Sequence, residues 1–307
     1  MQAIADVETL KRTITDEIVQ FLGLPVTGWT RRTLEPIFGA ATRRFSEFAA
    51  SFDRYVSQSG LCEAARWALP RFVKKVDVRG SENIPEQGPL VVAANHPGTY
   101  DGLVIAANLP RPDLKVLASG MPFIRSLPAT ARHLIYVTRP PAMHARMNAI
   151  RAAIRHLKEG GALLIFPGGN VEPDPGVLPG AERAVENWSA SLEIFLRSVP
   201  QSRVLVTIVS NVLSASWMRS PITRLRKELR ERQKLAEILQ VIQQMIIPRS
   251  LLLTPSVRFA EPLSPPEMEN DTGSVLQGII TRAKEMLSDR AVLALPHRAS
   301  RNSPSSE

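Results

Sequence analysis

The sequence predicts an α/β fold: a mixed, largely parallel sheet flanked by helices, preceded by an N-terminal helical region. From Val76 onward, short apolar segments alternate with longer segments of helical periodicity, which is typical of strand and helix alternation. Before Val76 only helical periodicity occurs. The 307 residues are 44% hydrophobic and 22% charged, the usual composition of a folded globular protein.

The α/β part of the chain is predicted to contain six strands. They are expected at residues 90–94, 115–118, 134–137, 162–166, 204–209 and 257–259. Helices are expected at residues 100–108, 143–159, 181–197, 222–247 and 275–288. The pair Gly160-Gly161 ends the second of these helices directly before a buried strand.

The N-terminal region is predicted to form amphipathic helices interrupted at Gly23-Leu24-Pro25 and at Gly60. We therefore expect a helical region at residues 1–75, an α/β domain at residues 76–296 and a disordered tail at residues 297–307. Aromatic residues such as Trp29 either pack the helices on the α/β domain or contact a membrane interface. The sequence leaves both alternatives open.

Charge and cysteine content restrict the partners and the compartment. The formal net charge of +9 favours nucleic acid, anionic lipid or a phosphorylated substrate. No helix-turn-helix, RNP-like or zinc motif is present, so no nucleic-acid partner is expected. Cys62 is the single cysteine, which excludes an intrachain disulfide and favours a reducing cytoplasm. No secretory signal is visible, and no apolar run reaches the ~18 residues of a spanning helix.

One segment carries the elements of acid–base chemistry. The strand at residues 90–94 runs into Asn95-His96-Pro97-Gly98-Thr99-Tyr100-Asp101, and a strand end before a helix is a usual place for an active site. Pro97 and Gly98 predict a turn that brings Asp101 back to His96. Such a carboxylate fixes the imidazole tautomer and leaves the other nitrogen free to take a proton. The alternative is a structural histidine. No G-x-S-x-G elbow occurs, so the attacking hydroxyl is expected to come from a substrate.

This segment resembles the N-H-x-x-x-x-D block of the glycerolipid acyltransferases that include lysophosphatidate acyltransferase. The resemblance implies that His96 is the general base, that Asp101 is its partner and that Asn95 contacts substrate. Residues 134–139 resemble the strand whose terminal arginine contacts the acceptor head group, which makes Arg139 a substrate-binding candidate; a surface ion pair is the alternative. Residues 205–209 resemble the family's fourth block in strand character but lack its internal proline, and residues 257–263 resemble its late strand.

A third block, at residues 165–172, is similar to the family's F-P-E-G-T-R-S but has Gly168 in place of the glutamate and Val171 in place of the arginine. Its P-G-G-x-x-E pattern is closer to diacylglycerol and wax-ester acyltransferases, whose acceptors are neutral. The block nominates the following substrate-binding residues: Phe166, Pro167, Gly168, Gly169 and Glu172. The two glycine amides either stabilise an oxyanion or only form a tight turn. Glu172 is otherwise a solvated loop carboxylate.

The resemblance implies an O-acyltransferase that moves a fatty acyl group from acyl-CoA or acyl carrier protein to a lipid hydroxyl. Lysophosphatidate or a lysophospholipid is the first expected acceptor; the alternatives are a neutral lipid alcohol or a non-catalytic lipid-binding module. The acyl thioester is a co-substrate, and no cofactor and no metal are indicated. The expected location is cytoplasmic, peripheral on the inner face of the membrane. A basic stretch at residues 219–234 either binds anionic lipid or is a solvated face.

Overall fold

The computed structural model describes residues 5–21, 23–137 and 143–289. Within these residues the chain forms helices and a single sheet. The strands are β1 (Asp77–Arg79), β2 (Leu90–Ala94), β3 (Lys115–Ser119), β4 (Leu134–Val137), β5 (Ala162–Ile165), β6 (Arg203–Ser210) and β7 (Ser256–Phe259). The helices are α1 (Val7–Phe21), α2 (Gly28–Ala68), α3 (Asp101–Asn108), α4 (Pro122–Arg125), α5 (Pro128–Ala131), α6 (Met143–Lys158), α7 (Ala181–Val185), α8 (Ser191–Ser198), α9 (Ala215–Arg219), α10 (Pro221–Arg224), α11 (Leu229–Ile246), α12 (Pro265–Thr272) and α13 (Val275–Ser288).

The sheet has the order β1-β7-β6-β2-β5-β3-β4. Five neighbouring strands, from β6 to β4, run parallel, whereas β7 is antiparallel to β6 and β1 is parallel to β7. This confirms the predicted mixed, largely parallel sheet. All five residues of β2 are buried, as expected for a central parallel strand covered on both faces. Because β2 pairs with β5 and β6 in parallel, the carboxyl ends of these three strands lie together.

The long helix α2 covers part of one face of the sheet. Ala64, Ala65 and Ala68 are fully buried and belong to the same apolar cluster as Leu90 and Val92 of β2. The helix is interrupted at Gly60, whose φ of 83° is non-helical, as the sequence predicted. Part of the N-terminal region therefore shares a core with the sheet. The proposed boundary between residues 1–75 and 76–296 stays a prediction, and the tail at residues 297–307 lies outside the described residues.

Two predicted helices are broken in the structure. The segment at residues 222–247 divides where α10 ends at Arg224 and α11 begins at Leu229, and the segment at residues 181–197 divides into α7 and α8. Leu225, which the predicted helix places on its apolar face, lies in the first break, between α10 and α11. Leu225 is 81% exposed instead of packed. In the part of the chain described, no helix has the length and apolar character to cross a membrane.

Candidate active site

His96 and Asp101 lie in contact at the carboxyl end of β2. His96 is the second residue after the strand, and Asp101 is the first residue of α3. Nδ1 of His96 lies 2.6 Å from Oδ2 of Asp101. The Asp101 carboxylate also accepts hydrogen bonds from the N–H groups of Gly98 and Gly102, at 3.1 and 2.6 Å. We call residues 95–101 the His96 turn. Its geometry reserves Nδ1 for Asp101 and leaves Nε2 for chemistry, on a side chain that is 30% exposed.

The segment after β5 closes over this histidine. The ring of Phe166 stacks on the His96 ring with centroids 4.6 Å apart and an angle of 29° between the planes. The N–H of Glu172 donates to the carbonyl of His96 at 2.7 Å. Two blocks separated by about 70 residues in the sequence therefore meet at one sheet edge because β2 and β5 are neighbouring parallel strands.

The charges around His96 favour its protonated form. Burial by itself lowers the pKa of the imidazole, but the carboxylate of Asp101, together with the charges of Glu237 and Glu172, raises the pKa above the ordinary value for histidine. An imidazole with a raised pKa is a stronger base toward a hydroxyl proton. The arrangement is therefore suited to hold the imidazolium that forms when His96 accepts a proton.

The side chain of Asn95 links the His96 turn to the sheet by hydrogen bonds. Its amide nitrogen donates to the carbonyl of Val209 at 2.8 Å, and its amide oxygen accepts from the N–H of Val209 at 2.7 Å. The side chain is buried, and its two hydrogen bonds join the residue directly after β2 to β6. These contacts favour a positioning role; the substrate contact expected from the sequence stays a prediction.

Glu172 is buried beside Gly168 and is not a solvated loop carboxylate. Its Oε1 accepts a hydrogen bond from Nε1 of Trp188 at 2.9 Å, and burial raises its pKa to about 7. A Cβ atom at position 168 would lie 2.0 Å from this Oε1. The glycine of the third block therefore leaves the space that the Glu172 carboxyl group occupies. Gly168 and the buried position of the Glu172 carboxyl group are thus linked in this structure.

The remaining residues of the third block form a tight turn. Gly169 has a φ of 63°, in the left-handed region that favours glycine, and its N–H donates to the carbonyl of Phe166 at 3.0 Å. This N–H is engaged in the turn, so the contact supports the turn alternative for Gly169. The carbonyl of Pro167 accepts from the N–H of Ser189 at 3.2 Å. Arg139, the predicted head-group contact, lies outside the described residues.

Two side chains that hold the site in place, Asp174 and Gln233, were not predicted from the sequence. Asp174, fully buried, accepts hydrogen bonds from four backbone N–H groups at 2.8 to 2.9 Å. One belongs to Gly176, and the other three belong to residues 211–213, which follow β6. Gln233 of α11 donates to the carbonyls of Pro97 and Glu172, at 2.8 and 2.9 Å. The Asp-Pro-Gly turn at residues 174–176 is the sequence signal for the first of these supports.

Residues 75–210 match the model of the family described as Acyltransferase. We call these residues, which make up less than half of the chain, the acyltransferase segment. It contains the His96 turn, Phe166 and Glu172, and it ends with β6 before α11 begins.

Among solved structures, the chain is similar to the 1-acyl-sn-glycerophosphate (LPA) acyltransferase PlsC from Thermotoga maritima. The identity is 16% with a TM-score of 0.47, over 96% of this chain and 99% of that chain. No curated protein sequence matches the chain.

Proposed function

We propose that the protein is an O-acyltransferase that moves a fatty acyl group from an acyl thioester, acyl-CoA or acyl carrier protein, to a lipid hydroxyl, with His96 as the general base. The observation that carries the proposal is the 2.6 Å contact between Nδ1 of His96 and Asp101 at the carboxyl end of β2. Lysophosphatidate or a lysophospholipid is the first proposed acceptor. The proposal is supported by the acyltransferase segment and by its N-H-x-x-x-x-D block.

The proposed reaction needs no nucleophile from the enzyme. Nε2 of His96 takes the proton of the acceptor hydroxyl while the hydroxyl oxygen forms a bond to the thioester carbonyl carbon. The C–S bond then breaks, and the leaving thiolate takes the proton from His96. Asp101 holds the imidazole and stabilises the transient imidazolium. The acyl thioester is a co-substrate, and the step uses no cofactor.

A neutral acceptor is the second candidate, and the electrostatics of the site favour it. The charged side chains with the largest effect on His96 are three acids, Asp101, Glu237 and Glu172. A phosphate group placed near these carboxyl groups is repelled unless a cation balances it. Arg139 is the residue proposed to supply that cation. Val171 stands where the family's block has an arginine.

Initial rates across an acceptor panel distinguish the two candidates. Purified protein is given acyl-CoA with lysophosphatidate, a lysophospholipid, diacylglycerol or a long-chain alcohol. We expect the highest kcat/KM with lysophosphatidate or the lysophospholipid and an increase of about tenfold in KM for Arg139→Gln, because one head-group contact is lost. A preference for diacylglycerol or the alcohol, with no effect of Arg139→Gln, contradicts the first candidate and supports the second.

We further propose that the protein works peripherally on the inner face of a membrane, through a surface formed by the α1–α2 junction and the α10–α11 segment. Arg226 lies over the ring of Phe21, 5.7 Å from its centroid, which brings the two segments together. Trp29 and Leu225 are 74% and 81% exposed. Exposed basic side chains accompany them: Arg219, Arg224, Lys227 and Arg230. Apolar side chains beside basic ones suit an anionic lipid surface.

Vesicle sedimentation tests this surface. We expect the protein to bind vesicles containing anionic lipid more tightly than zwitterionic vesicles, and the double variant Arg224→Glu/Arg230→Glu to lose about tenfold or more in anionic-vesicle affinity, because each basic residue near the surface contributes about 1 kcal/mol. Arg183→Glu, an exposed charge reversal on α7, is the matched control. Equal binding by the double variant and the control would exclude the surface.

A further inference from the structure

Four buried polar side chains follow one face of α11, a helix that lies after the acyltransferase segment. Their spacing of four, three and four residues places them on the same side of the helix. We call them the α11 polar stripe: Gln233, Glu237, Gln240 and Gln244. Buried polar side chains need hydrogen-bond partners, so the stripe must meet polar groups of the domain.

Three members of the stripe hold the His96 turn. Gln233 donates to the carbonyl of Pro97 at 2.8 Å. Glu237 accepts through Oε2 from the Thr99 hydroxyl at 2.8 Å. The hydroxyl of Tyr100 donates to Oε1 of Gln244. Gln240, the fourth member, accepts from the N–H of Ser214 and donates to the carbonyl of Val212 in the segment after β6.

Glu237 differs from the other three because it is ionisable. An amide oxygen would accept the Thr99 hydrogen bond equally well, so that contact alone does not require an acid. The second oxygen, Oε1, is buried and has no hydrogen-bond partner among the described residues. An unpaired buried carboxyl oxygen lowers the stability of the fold. The presence of this carboxyl group beside the His96 turn suggests that Glu237 serves the chemistry.

The position of Glu237 allows it to act on His96. A Cβ atom at Gly98 would lie 3.3 Å from Cδ of Glu237, so this glycine of the turn lets the carboxyl group approach. Burial raises the pKa of Glu237 to about 7, and the charged side chains that act on it are His96, Asp101 and Asp174. In return, the charge of Glu237 raises the pKa of His96, together with the charges of Asp101 and Glu172.

We propose that Glu237 is a positioning residue for the reaction: it fixes the His96 turn through Thr99, and its negative charge stabilises the imidazolium formed when His96 takes the acceptor proton. The role rests on the proposed acyl transfer. Glu237 lies on a helix beyond the acyltransferase segment. It acts through His96 and does not contact the reacting atoms.

Steady-state kinetics separate the charge from the hydrogen bond. Glu237→Gln keeps an acceptor for Thr99 but removes the charge. Glu231→Gln is the matched control, because Glu231 lies on the same helix and pairs with Lys234 one turn away. We expect Glu237→Gln to lower kcat about tenfold with little change in KM, and to move the rising limb of the kcat/KM pH profile about one unit lower. Thr99→Val tests the hydrogen bond alone and should lower kcat without moving that limb.

An NMR titration of the histidine rings tests the same inference without activity. The chain has five histidines, and the signal missing in His96→Ala identifies His96. Because a nearby negative charge favours imidazolium, Glu237→Gln should lower the His96 pKa by about one unit, whereas Glu231→Gln should leave it unchanged. An unchanged His96 pKa together with wild-type kcat in Glu237→Gln overturns the proposal. If wild type has no transferase activity, the titration still decides whether Glu237 acts on His96.

Discussion

Replacement of His96 by alanine is expected to lower the rate of acyl transfer about 10³-fold. The proposed reaction depends on a base that removes the acceptor proton, and a positioned general base contributes roughly 10² to 10⁴-fold to a rate. Asp101 keeps its hydrogen bonds from Gly98 and Gly102 in the variant, so the His96 turn should retain its shape. Release of free CoA, followed with a thiol reagent, measures the loss.

The matched control is His144→Ala, because His144 is an exposed histidine on α6. This control should keep wild-type activity, and thermal unfolding should show both variants folded. A folded His96→Ala protein with at least a tenth of the wild-type rate would show that another group, or water, removes the proton.

Asp101→Asn is expected to cost 10³-fold or more in kcat while KM changes little. An asparagine oxygen can still accept the N–H of Gly102, but the variant loses the negative charge beside Nδ1 of His96. The imidazole is then free to adopt the wrong tautomer, and its protonated form is less stable. Such a change lowers the rate of the chemical step more than it affects binding.

Asp77→Asn, a change of the same kind at an exposed position on β1, is the comparison. The His96 signal in an NMR titration should move to lower pKa in Asp101→Asn and stay in place in Asp77→Asn. Normal turnover by Asp101→Asn with an unaltered His96 pKa would mean that the 2.6 Å contact has no catalytic consequence.

Most of the sheet follows from local sequence, because its strands are short apolar runs bounded by turn residues. Residues 90–94 and 134–137 form strands with the predicted limits. The edge strand β1 has three residues with an exposed-intermediate-exposed pattern, too short for a periodicity signal. The break between α10 and α11 differs from the prediction, because residues 225–228 are good helix formers and their propensities favour a continuous helix.

The candidate site was predicted in part. The contact between His96 and Asp101 follows from a turn at Pro97 and Gly98, which local sequence specifies. The burial of Glu172 depends on the space beside Gly168, which no local pattern reveals. The α11 polar stripe was missed because glutamine and glutamate at helical spacing are typical of a solvated face. The sequence signal for the stripe is the spacing of its four polar residues, at intervals of four, three and four, with apolar residues beside them.

The central claim is that His96 transfers an acyl group from a thioester directly to a lipid hydroxyl, and lipid-product mass spectrometry tests it most directly. Purified wild type and His96→Ala are each incubated with acyl-CoA and the lysophosphatidate and neutral acceptors. We predict an ester of the supplied acyl group and one acceptor in the wild-type reaction, and about 10³-fold less of it with His96→Ala. The same ester formed at equal rates by both proteins would contradict the account.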